Sequence, residues 1–222
     1  NLELLGTGGT YTLTNTGNAI TTLAGNTGTV SFVENSGFDI GTVNTVGLTA
    51  STSVTLNSTG TVTQSNLIST PSLLLLGTNG IYTLTNTSNA ITTLAGNTGT
   101  ISFLENSGFA IGAVGSTNGV TATTLTLSST GTVTQTQALT VTNLELLGTG
   151  GIYTLTNTGN AITTLAGNTG TVSFVENSGF DIGTVNSVGL TASTSVTLNS
   201  TGTVTQSNLI STPSLLLLGT NG

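Results

Sequence analysis

Lysine, arginine, histidine, cysteine, methionine and tryptophan are all missing from these 222 residues, and the only formal charges are seven carboxylates. Without His or Cys there is no imidazole base, no thiolate nucleophile, no zinc site and no disulfide framework. Without Lys there is no Schiff base or phosphate-binding ammonium. A chain with no cationic side chain neutralises no phosphates, so neither nucleic acid nor an anionic membrane surface is an expected partner. The run Leu73, Leu74, Leu75, Leu76 is far shorter than the roughly 20 apolar residues a bilayer requires, so membrane insertion is not expected either. No cofactor and no catalytic residue is expected.

What remains is rich in Thr, Val, Ile, Leu and Asn with 31 Gly, a composition that favours strands and turns over helix. The chain repeats itself without insertion: Tyr11, Tyr82 and Tyr153 recur with a period of 71, as do Gln64, Gln135 and Gln206. Residues 1–80 match 143–222 at all but two positions, Thr10 against Ile152 and Thr45 against Ser187. The middle copy agrees with the first at only roughly 60% of positions. The true unit is therefore two periods long, 142 in all, and consists of two diverged halves. The repeats run 1–71, 72–142 and 143–213, and 214–222 starts another, so the sequence reads as a window on a longer array.

Within each repeat, residues 11–23, 30–43 and 54–67 share a pattern of two apolar residues one apart, a polar turn ending in Gly, and a second apolar pair. Three such segments suit about three coils per repeat of one continuous all-β parallel β-solenoid over 1–222, about nine coils in all. Alternation sets the side-chain directions, since neighbouring residues on a strand point to opposite faces. The expected core is Tyr11, Leu13, Val30, Phe32, Phe38, Ile40, Val54, Leu56, Tyr82, Leu84, Phe103, Leu127, Tyr153, Leu155, Phe174 and Leu198. Asn15, Asn35 and Asn57 are placed to stack their amides from coil to coil. Gly17, Gly37 and Gly60 are expected at turns that need a glycine backbone angle.

The segments VTLNSTGTVTQSNLI (54–68 and 196–210) and LTLSSTGTVTQTQAL (125–139), with YTLTNTGNAITTLAG before them, resemble the coil repeats of filamentous-haemagglutinin-type bacterial adhesins. That resemblance implies a right-handed parallel β-helix, exported through an outer-membrane partner and displayed as a rod. Near-perfect repeats without basic residues point to a structural shaft, extracellular or at the cell surface, associating with itself head to tail or side by side. The alternative is a receptor-binding adhesin whose binding domain lies outside this window.

The residues raise three further chemistries. Glu34 with Asp39, and Glu176 with Asp181, are the only carboxylate pairs suited to acid–base work, but the middle copy has Glu105 and then Ala110 where the partner belongs. The same four residues are weak calcium candidates, without an Asp-rich loop to complete a site. Outward threonines of TLT (12–14, 83–85) and TVT (61–63, 132–134) raise ice binding, against which unequal coils and intervening SFV and TLN argue. Leu74 faces outward by alternation, either free to bind a neighbouring rod or covered by a loop.

Overall fold

The computed structural model describes residues 1–219, so the end of the partial fourth repeat lies outside the described residues. The chain is a parallel β-solenoid of about ten turns, with strands stacked about 21 residues apart. Nineteen strands share one sheet. The other sheet among the described residues is the short hairpin Ala113–Val114 with Thr117–Asn118. At about 4.8 Å per coil, ten turns make a rod roughly 50 Å long.

Buried columns run through the rod. On one side Leu23 pairs with Ile40 and Ile40 with Gln64. Two residues back on that last strand, Val62 pairs with Tyr82, and the column continues through Ile101, Leu125 and Leu144 to Leu165. On the other side Tyr11 pairs with Val30, then Val54, Leu73 and Leu94. Each coil contributes one pass to each side. The alternation of burial follows: in Val30-Ser31-Phe32 the first and third residues are buried and the serine is not.

These columns correct the count of three coils per repeat. Seven coil-to-coil steps separate Leu23 from its copy Leu165, so the long unit makes seven turns and each of its halves three and a half. The physical reason is an odd number of passes. Strands at Leu2–Leu5, Thr10–Leu13, both halves of Thr22–Val33, Asp39–Ile40, the second half of Leu48–Asn57 and Thr61–Gln64 alternate sides. The next repeat therefore starts on the opposite side. Leu94, the counterpart of Leu23 one repeat on, stands in the other column, and Ile101, the counterpart of Val30, replaces it. The pass built on Leu73 to Leu76 lacks the polar-turn pattern, and so escapes a count made from that pattern.

Tyr82, Leu84, Phe103, Leu127, Tyr153, Leu155, Phe174 and Leu198 are buried, as are Val30, Phe32, Phe38, Ile40, Val54 and Leu56. Tyr11 and Leu13, in the first coil, are only half-buried against the same core. Phe32 meets Phe38 edge-on at 5.3 Å, and Phe103 meets Phe109 at 5.2 Å, a favoured aromatic geometry. Fully burying each large apolar side chain contributes about 1.5–3 kcal/mol, repeated coil after coil.

The turn glycines divide. Gly37 has φ +97, and a Cβ there would lie 2.3 Å from the Thr61 carbonyl oxygen. Gly17 and Gly60 are not among the residues with a left-handed φ, which corrects the backbone-angle explanation for both. Gly60 is instead a close approach, its would-be Cβ 2.5 Å from the Ser36 carbonyl carbon. Gly17 meets only the Asn15 side-chain oxygen at 3.1 Å, which is why Ser88 can replace it.

Candidate functional site: straps across the coils

At one corner of each repeat the chain leaves the coil as a small hairpin. Residues 41–47 close with Gly47 N–H donating to the Gly41 carbonyl at 2.8 Å, residues 183–189 with Gly189 to Gly183 at 2.8 Å, and 112–119 with Gly119 to Gly112 at 2.9 Å. Each exit Gly has a positive φ, +76, +74 and +72, which reverses the chain without strain. Each hairpin then folds back as a strap over an alanine of the preceding coil, Ala24, Ala166 or Ala95, all fully buried. The residue under the strap's far end belongs to the coil before that: Glu3 pairs with Ala24, Glu145 with Ala166 and Leu74 with Ala95.

The landing chemistry alternates. Glu3 accepts from the backbone N–H and hydroxyl of Thr45 at 2.6 and 2.9 Å, and from the Asn44 side-chain amide at 2.6 Å. Glu145 accepts from the Ser187 N–H at 2.6 Å, the Asn186 amide at 2.6 Å, the Ser187 hydroxyl, and Thr126 Oγ1 at 2.9 Å. Hydrogen bonds to a carboxylate are stronger than neutral ones. In the middle repeat Leu74 takes the carboxylate's place, and Val114 of the strap packs on it with Ala95 and Leu76. Leu74 is thus covered by a loop. One of the two differences between the outer copies is explained here, because Thr45 and Ser187 both supply the hydroxyl.

Burial pushes the Glu145 carboxyl up, but the Ser187, Asn186 and Thr126 donors outweigh it and hold the group below its ordinary pKa of 4.5. The Asn44 and Thr45 donors hold Glu3 below the same value.

The other carboxylates are spent locally and on separate donors. Glu34 is buried, accepting from the Ser36 N–H at 3.0 Å and the Gly37 N–H at 2.6 Å. Glu105 and Glu176 repeat this with Ser107, Gly108, Ser178 and Gly179. Asp39 faces outward and accepts from Thr63 Oγ1 at 2.9 Å and Ser65 Oγ at 2.6 Å. Asp181 is held below its ordinary pKa by Ser207 and Thr205. No group of three or more His, Cys, Asp or Glu side chains is placed to hold a metal ion among the described residues. No helix there is long and apolar enough to cross a membrane.

Two features were not legible from the motif. Asn89, 4% exposed, bonds through its amide nitrogen to the Leu84 and Leu104 carbonyls at 3.2 and 3.0 Å, while its oxygen accepts from Ile68 N–H at 2.9 Å and from the Gln64 amide. Three coils meet at this one side chain. Asn160 does the same with Leu155, Val175, Leu139 and Gln135. These asparagines each tie three coils, whereas of the expected set Asn15 accepts from its own turn at Gly17 and Asn35 links one pair of coils, its amide donating to the Thr16 carbonyl of the preceding coil and not to a stacked amide. The signal available was their unbroken recurrence once per repeat inside an apolar Asn-Ala-Ile run. Second, the Tyr82 hydroxyl donates to the Leu76 carbonyl at 2.6 Å and accepts from the Ser58 N–H at 3.0 Å.

Threonine rows are broken. The outward column from Thr61 passes through Ile81, Thr100, Thr124, Asn143, Thr164 and Asp181 to Thr205. Comparison with known protein families, curated proteins and solved structures finds no match.

Proposed function

We propose that the chain is non-catalytic shaft material, the structural repeat of an extracellular or cell-surface fibre whose work is reach and rigidity. The observation that carries this reading is the seven-turn unit. A unit of two repeats returns every residue to its own side. Units therefore join without a change of phase, and the rod lengthens by about 34 Å per unit at about 4.8 Å per coil. Stability then accumulates over neighbouring coils instead of residing in one core. With Leu74 covered and the carboxylates satisfied, the surface is mainly hydroxyls and amides interrupted by single exposed apolar side chains such as Val46, Ile81, Ile152 and Val188, suited to a spacer more than to a reaction centre.

Chains of one, two and three units, imaged by electron microscopy, are expected to lengthen in steps of about 34 Å. On the source cells, an antibody to residues 183–189 is expected to decorate extended rods outside the cell. Particles of constant length, or label confined to the cell interior, would overturn the shaft reading.

A further inference from the structure

The three straps are alike in backbone and unlike in what holds them down, and that difference has a direction in the rod. We propose that the straps landing on Glu3 and Glu145 are acid-released latches, that the strap landing on Leu74 is not, and that acid therefore loosens hairpins on one side of the rod only. This goes beyond the shaft reading and does not depend on it.

The sidedness follows from the coil count. Glu3 and Glu145 adjoin Leu2 and Leu144, both on the Leu23–Leu165 side. Leu74 adjoins Leu73 on the other side. In a longer array of the same unit, all carboxylate latches fall on one side and all apolar latches on the opposite one.

The chemistry follows from the donors. At Ser187 the strap offers a backbone N–H and a hydroxyl, and Asn186 adds an amide. An ionised carboxylate accepts all of these, whereas a protonated one carries a donor of its own and loses the charge assistance. Both carboxyls sit below their ordinary pKa in the folded chain, so the latch contributes fully above the ordinary carboxylate range and is lost as pH falls through the lowered folded value. The ionisable groups on the same side are Asp39 and Asp181, each two coils beyond the carboxylate of its own latch, with Asp181 held by Thr205 and Ser207. They also include Glu105, which follows the strand carrying Ile101 two coils before Glu145 and is bonded to Ser107 and Gly108, and the Tyr82 phenol one coil earlier still. Thr126 and Ala166, flanking Glu145 on the adjacent coils, do not titrate. Val114 on Leu74 carries no proton to gain.

Amide hydrogen exchange, corrected for the intrinsic effect of pH, tests this on the whole chain. Between pH 7 and pH 3 the protection of Thr45 and Ser187 is expected to fall about tenfold, the scale of one charge-assisted hydrogen bond. Amides in 113–118 and ladder amides such as that of Val172 are expected to keep theirs. Glu145→Gln should loosen 184–188 already at pH 7 and abolish the acid response of that strap alone, which separates the latch from Asp181. Equal responses from all three straps, an acid response surviving in Glu145→Gln, or loss of the ladder together with the straps would each overturn the proposal.

Discussion

Val114 packs on Leu74 of an earlier coil, in the place where Ser187 donates to Glu145 in the next repeat. One backbone device is fastened by apolar contact in one half of the unit and by hydrogen bonds to a carboxylate in the other. The halves have diverged at both ends of the contact together, landing residue and strap.

That pairing predicts a double-mutant result. Leu74→Glu alone puts a carboxylate beneath Val114 with no matching donors, and is expected to cost about 1–3 kcal/mol, the desolvation of an unpaired polar group. Replacing 112–119 in the same chain by the 183–189 sequence supplies Asn and Ser donors, and most of that loss should return. Denaturant unfolding of the four chains gives the coupling energy; additive losses would show that the landing residue and the strap are independent.

Asn160→Leu removes a buried amide that serves three coils. The Leu155 and Val175 carbonyls and the Leu139 N–H then lose a partner in the interior, and the expected cost is about 2–4 kcal/mol. Asn160→Asp should be worse at neutral pH than in acid, because an ionised carboxylate cannot donate to either carbonyl. Stability measured as a function of pH distinguishes the two variants.

The side-chain directions of this fold were legible: strict alternation in Val54-Thr55-Leu56 or Tyr82-Thr83-Leu84 fixes which residues face inward. The beat of the repeat was equally plain. The half-turn was hidden because it depends on the pairing of Val54 with Leu73, a strand without the shared motif. The hairpin 41–47 also lengthens one coil without lengthening its path round the core. The Asn89 corner escaped for a different reason. An asparagine in a turn is ordinarily solvated, and its burial here rests on Gln64 of an earlier coil. Straps and corners are contacts between coils, and a motif within one coil does not encode them.

Gly37→Ala and Gly17→Ala should separate cleanly. The first combines φ +97 with a Cβ 2.3 Å from the Thr61 oxygen, and the second has neither. A left-handed non-Gly residue costs of order 1–3 kcal/mol before the clash is counted, while the Gly17 change should stay within about 0.5 kcal/mol. Thermal unfolding of the two variants checks this; equal shifts would mean that the Gly37 turn relaxes.

Burial raises the Tyr82 and Tyr153 phenols well above their ordinary value of 10.0. A raised folded pKa means the neutral form is favoured in the fold, so this contribution is complete below about pH 10 and is lost as pH rises above it, when the unfolded chain ionises first. Stability is therefore expected to decline above about pH 10. Tyr82→Phe should cost about 1 kcal/mol at neutral pH and flatten that decline, as read by denaturant midpoints across the alkaline range.

The half-turn itself is open to direct measurement, because the chain has no cysteine and single thiols can be placed at will. Val46 and Val188 are exposed, 59% and 61%, at matching places on the first and third straps. Spin labels there should lie about 34 Å apart along the axis on one side, seven coils at about 4.8 Å; six coils would give about 29 Å. Deleting 72–142 joins Pro71 to Asn143 in the same motif frame and removes three and a half turns. Thr55 then stands below Glu145 where Thr126 stood, so the latch chemistry survives. The axial separation should fall to about 17 Å, and the two carboxylate latches should move to opposite sides. Acid would then release hairpins on both faces of the shortened rod. A deletion chain that keeps both straps on one side would show that a single repeat closes a whole number of turns.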